Sequence, residues 1–201
     1  MKKILCFGDS NVYGFIPKSG QRYSENLRWS GILKQDLKDD FIVVEDGLNN
    51  RTAFSNNPQG INHIGLLALE KTIKNDYQIV ILELGINDSQ FIYNTTEKSL
   101  EEGISALVEI VKNHNPKTKI ILICPNIIKE QILKSSFSVL FDKTSIEKSK
   151  YYSRVYEKVS EKYGIELLDL EKIVKTSDID GLHYEINEHK KIAQAIETLL
   201  Q

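Results

Sequence analysis

Ser10, Asn87, Asp180 and His183 are the side chains of this sequence whose types and placement could do chemistry together. Acyl transfer needs a hydroxyl beside a general base, a carboxylate that holds the imidazole in the right tautomer, and donors for the oxyanion of the tetrahedral intermediate. Ser10, in Gly8-Asp9-Ser10-Asn11, offers the hydroxyl, and His183 can take its proton. Asp180, three residues before His183, can hydrogen-bond the other ring nitrogen from the same turn. The backbone N–H groups of Ser10 and Gly47 with the Asn87 amide are the candidate oxyanion donors. Each signal also has a plainer reading. Ser and Asn after a strand serve as turn or cap residues, Gly47 suits a turn at positive φ, and Asp180 with His183 can be an ordinary loop pair. An imidazole accepts a proton only when neutral, so activity should rise with pH through the histidine titration.

Something must bring positions so far apart in sequence together, and the apolar pattern supplies it. Ile4-Leu5-Cys6-Phe7, Phe41-Ile42-Val43-Val44, Ile79-Val80-Ile81-Leu82, Ile120-Ile121-Leu122-Ile123 and Ile165 to Leu170 read as strands. The third, with no polar interruption, suits a central strand buried on both faces. Between the strands run helical faces: residues 29–38 with Trp29, Ile32, Leu33 and Leu37; then Ile61, Ile64, Gly65, Ala68, Leu69 and Ile73; then Leu100, Ile104, Leu107, Val108 and Val111. Thr144 and Glu147 fit a capping box opening a helix whose face is Tyr152, Val155, Tyr156, Val159 and Tyr163, stopped by Gly164. A last helix carries Ile192, Ile196, Leu199 and Leu200.

This β-α alternation predicts a parallel sheet with helices on both faces, and such sheets bind ligands at the carboxyl ends of their strands. Ser10, Gly47 and Asn87 follow the first, second and third strands, and the Asp180/His183 pair follows the fifth. Tyr13 to Leu27 reads as a surface loop able to border a pocket, and Asn126 to Asp142, with Phe137, Val139, Leu140 and Phe141, as a pocket wall or lid.

At 201 residues the chain suits one domain, residues 1–201, since burial becomes comfortable above about 150 residues. Lys+Arg 26 against Asp+Glu 28 gives a net charge of −2, with lysines scattered among acids, so nothing marks a nucleic-acid partner. No apolar run approaches the ~20 residues of a membrane helix. The apolar stretch after Lys2 and Lys3 ends at Gly8, too short for a signal-peptide core, and a cytoplasmic location is expected. Cys6 and Cys124 sit in or beside apolar strands and are expected to act as small hydrophobes. His63, His114 and His189 lack metal-ligand spacing and are expected in solvent-facing or capping roles. Arg28 and Trp29 could open a helix and fill the core, or contact ligand.

In this order, Gly8-Asp9-Ser10, Gly47, Gly85-Ile86-Asn87-Asp88 and Asp180-Gly181-Leu182-His183 resemble the four sequence blocks of the SGNH (GDSL-type) hydrolases. The likeness is strongest to the bacterial arylesterase/acyltransferase branch, which includes small-ester and acetyl-ester hydrolases. It extends to Ile4-Leu5-Cys6-Phe7, Arg28-Trp29, Leu48, Arg51-Thr52 and Tyr184. The resemblance implies a three-layer α/β/α, flavodoxin-like fold with a five-stranded parallel sheet, no metal or organic cofactor, and a serine acyl-enzyme. It implies Ser10 as nucleophile, His183 as base, Asp180 as its partner, and Ser10, Gly47 and Asn87 as oxyanion donors, with Asp9 and Asp88 as structural hydrogen-bonding residues. Departures are Asn11 where the family has leucine, which alters polarity beside the nucleophile, Tyr13 near a family tryptophan, and a short loop from Tyr13 to Leu27. The expected substrate is a small-molecule ester, with homo-oligomers an open possibility. Thioesters or lysophospholipids are a second option for the same residues, and a non-catalytic flavodoxin-like binding module is the rival from another class.

Overall fold

The computed structural model describes residues 1–200. The five apolar runs form β1 (Lys2–Gly8), β2 (Phe41–Gly47), β3 (Ile79–Glu83), β4 (Lys119–Cys124) and β5 (Glu166–Asp169). All pairings are parallel, in the order β2-β1-β3-β4-β5. Runs of Ile, Val and Leu fit a pleat covered on both sides, and every residue of β3 is buried.

Successive strand residues point to opposite faces, so the core divides in two. Leu5, Phe7, Val80, Leu82, Ile120 and Leu122 pack with α3 (Gly65–Thr72), α4 (Glu97–His114) and α6 (Tyr152–Tyr163). Ile4, Cys6, Ile79, Ile81, Ile121 and Ile123 pack with α2 (Trp29–Asp36) and α7 (Ile186–Leu200). The result is a three-layer α/β/α fold in the flavodoxin-like strand order. In that order the chain steps from β1 to β2 on one side and then crosses to β3 on the other side of β1, and a crevice opens at the carboxyl ends of β1 and β3.

Several local expectations are corrected. The apolar face from Ile61 to Ile73 is not one helix: a 3₁₀ turn (Ile61–His63) is separated from α3 by Ile64, which is extended and bridges Thr52. The capping box near residue 144 belongs to Asp142, whose carboxylate accepts the N–H groups of Thr144 and Ser145 while the Ser145 hydroxyl meets the Asp142 backbone. Aspartate, being charged, is the stronger acceptor there. It opens α5 (Lys143–Ser149), and the chain breaks at Lys150–Tyr151 before α6. The Ser10 turn is itself a four-residue helix, α1 (Ser10–Tyr13). Among the described residues no helix is long and apolar enough to cross a membrane.

Candidate active site

Ser10 follows directly on β1 because Asp9 ends the strand and caps α1, its Oδ1 accepting the Asn11 N–H at 3.0 Å. On the far side of the crevice, Gly181 at φ 69° turns the chain so that Asp180 and His183 face each other. Asp180 Oδ1 accepts the N–H groups of Leu182 and His183 at 2.9 and 3.0 Å, and its Oδ2 lies 2.7 Å from His183 Nδ1. An ionised carboxylate only accepts, so Nδ1 carries the proton and Nε2 is left as an acceptor. That nitrogen is 2.9 Å from Ser10 Oγ. Burial alone would raise the Asp180 carboxyl, but its hydrogen bond with and electrostatic attraction to the His183 ring, together with the two backbone N–H groups, hold it below the ordinary carboxylate value.

Gly47 ends β2 opposite Gly8, and Leu48 N–H donates to the Gly8 carbonyl at 3.1 Å. Its φ is not positive, so the turn reading fails. A Cβ here would come within 2.2 Å of the Tyr13 backbone nitrogen, and the absence of a side chain is what lets β2 and α1 touch beside Ser10. Asn87, after β3, is 4% exposed and donates through Nδ2 to the Arg51 carbonyl at 3.0 Å. Ser10, Asn87 and His183 line one cavity of about 80 Å³, walled on its apolar side by Phe15, Phe137 and Leu140. The five sequence-chosen residues thus meet at the β1/β3 crevice, Gly47 by backbone contact with α1 and the others by their side chains.

Residues 6–186 match the model of the GDSL-like lipase/acylhydrolase family. The chain belongs to that family. As a GDSL-like acylhydrolase it is a carboxylic ester hydrolase, and solved structures share its architecture over the full length. It is similar to the native M. smegmatis aryl esterase, with TM-score 0.89 and 25% identity over 100% of this chain and 98% of that one. A carbohydrate acetylesterase family member from Sinorhizobium meliloti superposes with TM-score 0.89 at 24% identity, over 100% of this chain and 97% of the other. No curated protein sequence matches this GDSL-like hydrolase.

Other residues hold the crevice open. Arg51, 4% exposed, donates to the carbonyls of Gly8 and Asp46 at 3.0 and 2.7 Å and lies over the Phe7 ring at 4.4 Å, clamping the ends of β1 and β2. Asp88 is structural, as the resemblance implied: its carboxylate accepts the N–H groups of Ala53, Phe54 and Ser55 at 2.6, 3.1 and 2.9 Å. Arg28 and Trp29 take the core reading. Arg28 forms a two-pronged ion pair with Glu45 at 2.6 and 2.8 Å, and Trp29, fully buried, donates through Nε1 to Glu83 at 3.2 Å. His189 corrects the solvent-facing alternative. It is fully buried, its Nδ1 accepts the Trp29 N–H at the start of α2 at 3.3 Å, and burial pushes its pKa down to about 3. Asn11 is buried but is not among the residues lining the cavity, so it adds no polarity to the cavity wall.

Phe15 was invisible to motif reading, yet its ring stacks on His183 with centroids 4.2 Å apart. The segment from Asn126 to Asp142 is a wall: Phe137, Leu140 and Phe141 line the cavity, while Val139 points outward at 71% exposure. Alternation of apolar residues gave no means of deciding which would turn inward in 3₁₀ turns at Glu130–Lys134 and Ser136–Val139.

Behind the serine, Asp9 and Glu83 are each 1% exposed. Burial pushes the Asp9 carboxyl up to about 7, against the pull of the Asn11 N–H and Arg51, and burial with the Asp9 charge raises Glu83 well above its usual value. An acid with a raised folded pKa holds a proton that the unfolded chain has released, so it lowers stability as pH climbs from its unfolded to its folded pKa. Thermal melting should therefore show stability falling from about pH 4 to about pH 7, and Asp9→Asn should flatten that fall while keeping an oxygen for the Asn11 N–H. An unchanged slope in the variant would show that Asp9 does not titrate there.

Proposed function

We propose that this chain is a serine esterase removing short acyl groups, acetyl foremost, from small alcohol, aryl or sugar esters through an acyl-enzyme on Ser10. The reading is carried by the unbroken hydrogen-bonded line from Asp180 through His183 to Ser10, opening on a cavity of about 80 Å³. That is roughly half the ~150 Å³ that holds a benzene ring. The aryl esterase and carbohydrate acetylesterase neighbours support the same substrate class.

His183 Nε2 takes the Ser10 proton as Oγ bonds to the ester carbonyl carbon. The carbonyl π pair moves onto oxygen, which the Ser10 and Gly47 N–H groups and the Asn87 amide receive. Collapse breaks the carbon–oxygen bond to the alcohol, to which His183 returns the proton. Water then repeats the sequence on the acyl-enzyme, releasing the acid and restoring Ser10. Asp180 stays ionised throughout, steadying the imidazolium.

The test is a p-nitrophenyl ester series from acetyl to long acyl chains, with fluorophosphonate labelling located by mass spectrometry. Turnover greatest on acetyl, with the label on Ser10, supports the reading. Turnover growing with chain length would favour lipid-type or thioester substrates, and an unlabelled, inactive protein would favour a binding module. Phe137 sits 5.7 Å from Phe15 and 5.2 Å from His183, ring to ring, closing the apolar end. Phe137→Ala should raise kcat/KM for hexanoyl relative to acetyl esters by roughly 10-fold, since a methylene in an apolar pocket discriminates on that scale. An unchanged ratio would place the acyl group elsewhere.

A further inference from the structure

The Asn87 side chain can serve an oxyanion only if its nitrogen, not its oxygen, faces the cavity, and an amide has two orientations of nearly the same shape. Two contacts select one: the Arg51 carbonyl takes Nδ2, and Oδ1 is met by Gln90, a residue that the motif does not include and that is 1% exposed. Its Nε2 lies 3.2 Å from Asn87 Oδ1 and 2.6 Å from Asn50 Oδ1, donating one hydrogen to each. With Asn87 Oδ1 taken up by Gln90, Asn87 Nδ2 reaches the Arg51 carbonyl with one hydrogen and has the second to spare. The flipped amide would set Oδ1 against a carbonyl and an NH2 against an NH2.

The frame around this contact is fixed from both sides. Lys148 Nζ donates to the backbone carbonyls of Gln90 and Tyr93 at 3.3 and 2.6 Å, tying the turn to α5. Asn50 is the only non-glycine residue at positive φ among those described, at 61°. Its Nδ2 donates to Gln59 Oε1 at 2.7 Å, and its carbonyl accepts Asn57 Nδ2 at 2.7 Å. A strained backbone held by three side-chain bonds serves to present Asn50 Oδ1 to Gln90 and the cavity.

We infer that Gln90, braced by Asn50, is a positioning residue that holds the Asn87 amide with its N–H toward the developing oxyanion. The inference rests on the esterase reading and on Asn87 as an oxyanion donor within it. Gln90→Glu replaces the shared donor with a carboxylate between two oxygens, a setting that turns the Asn87 NH2 toward the new charge and away from the cavity. Asn50→Gly removes the brace, and with it the bond to Gln59, at a positive φ that glycine also adopts, so it tests the same contact without adding a charge.

The experiment measures kcat and KM on p-nitrophenyl acetate for Gln90→Glu, Asn50→Gly, Asn87→Ala and the doubles with Asn87→Ala. The expected result is a fall in kcat on the order of 10²-fold for Gln90→Glu and about 10-fold for Asn50→Gly, with KM within about 3-fold. Added to Asn87→Ala, neither should lower kcat further, because the group they orient is gone; general structural damage would add in full. Full losses in the doubles, or wild-type kcat in both single variants, would overturn the inference and leave the esterase reading intact. Should Gln90→Glu fail to fold, the Asn50→Gly cycle decides alone. Wild-type kcat in Asn87→Ala would overturn the oxyanion role of Asn87 and this inference together, whereas retained activity in Ser10→Ala would overturn the esterase reading itself.

Discussion

Ser10→Ala should lower kcat/KM on p-nitrophenyl acetate by on the order of 10⁴- to 10⁶-fold while the protein melts within a few degrees of wild type. The chemistry loses its covalent step, since among the described residues Ser10 is the one hydroxyl that His183 Nε2 meets. The fold loses little. Ser10 is 5% exposed, its hydroxyl makes one contact, to His183, and the cap of α1 is supplied by Asp9 rather than by Ser10. A residual rate above that of buffer is expected from oxyanion donors acting on an attacking water. Steady-state rates and a melting curve on the same preparation check both halves, and wild-type turnover in the variant would end the acyl-enzyme mechanism.

Asp180→Asn should lower kcat by on the order of 10³- to 10⁴-fold with KM little changed. The amide keeps an oxygen for the N–H groups of Leu182 and His183, so the turn survives. Its NH2 then faces His183 Nδ1, where the carboxylate Oδ2 now stands at 2.7 Å. That imidazole nitrogen must accept, its proton moves to Nε2, and the ring presents a donor to Ser10 where an acceptor is needed. Because its interactions hold the Asp180 carboxyl below the ordinary value, the group contributes stability above its unfolded pKa and loses it as pH falls through the folded one. Asp180 therefore stays ionised at neutral pH, and its own protonation does not set an acid limb there. A pH profile of kcat for wild type and variant checks this, and a variant with near-wild-type kcat would remove Asp180 from the proton path.

The same physics explains what could be read without coordinates. The five strands were legible because an unbroken Ile, Val and Leu run has few stable fates other than a doubly covered strand, and their order with helices between implies parallel pairing. Ser10, Gly47 and Asn87 were legible because each sits within a few positions of a strand end, where backbone geometry is set locally. Asp180 and His183 needed only their own turn. Helix ends were less legible: Thr144 with Glu147 has the composition of a capping box, but the charged Asp142 two residues earlier wins the N–H groups.

The tertiary structure alone decided which of these ends meet. The pairing of β1 with both β2 and β3 brings Ser10, Gly47 and Asn87 together, and a strand's partner depends on contacts across dozens of residues that no local pattern encodes. It decided that Phe15 and Phe137 cover His183, that His189 is buried neutral beneath α2, and that Asn50 and Gln90 converge on Asn87. Those side chains come from irregular loops and turns, whose composition permits many orientations of similar local energy. Packing against the rest of the molecule selects one, whereas periodic apolar burial had already fixed the sheet and the edge on which the site is built.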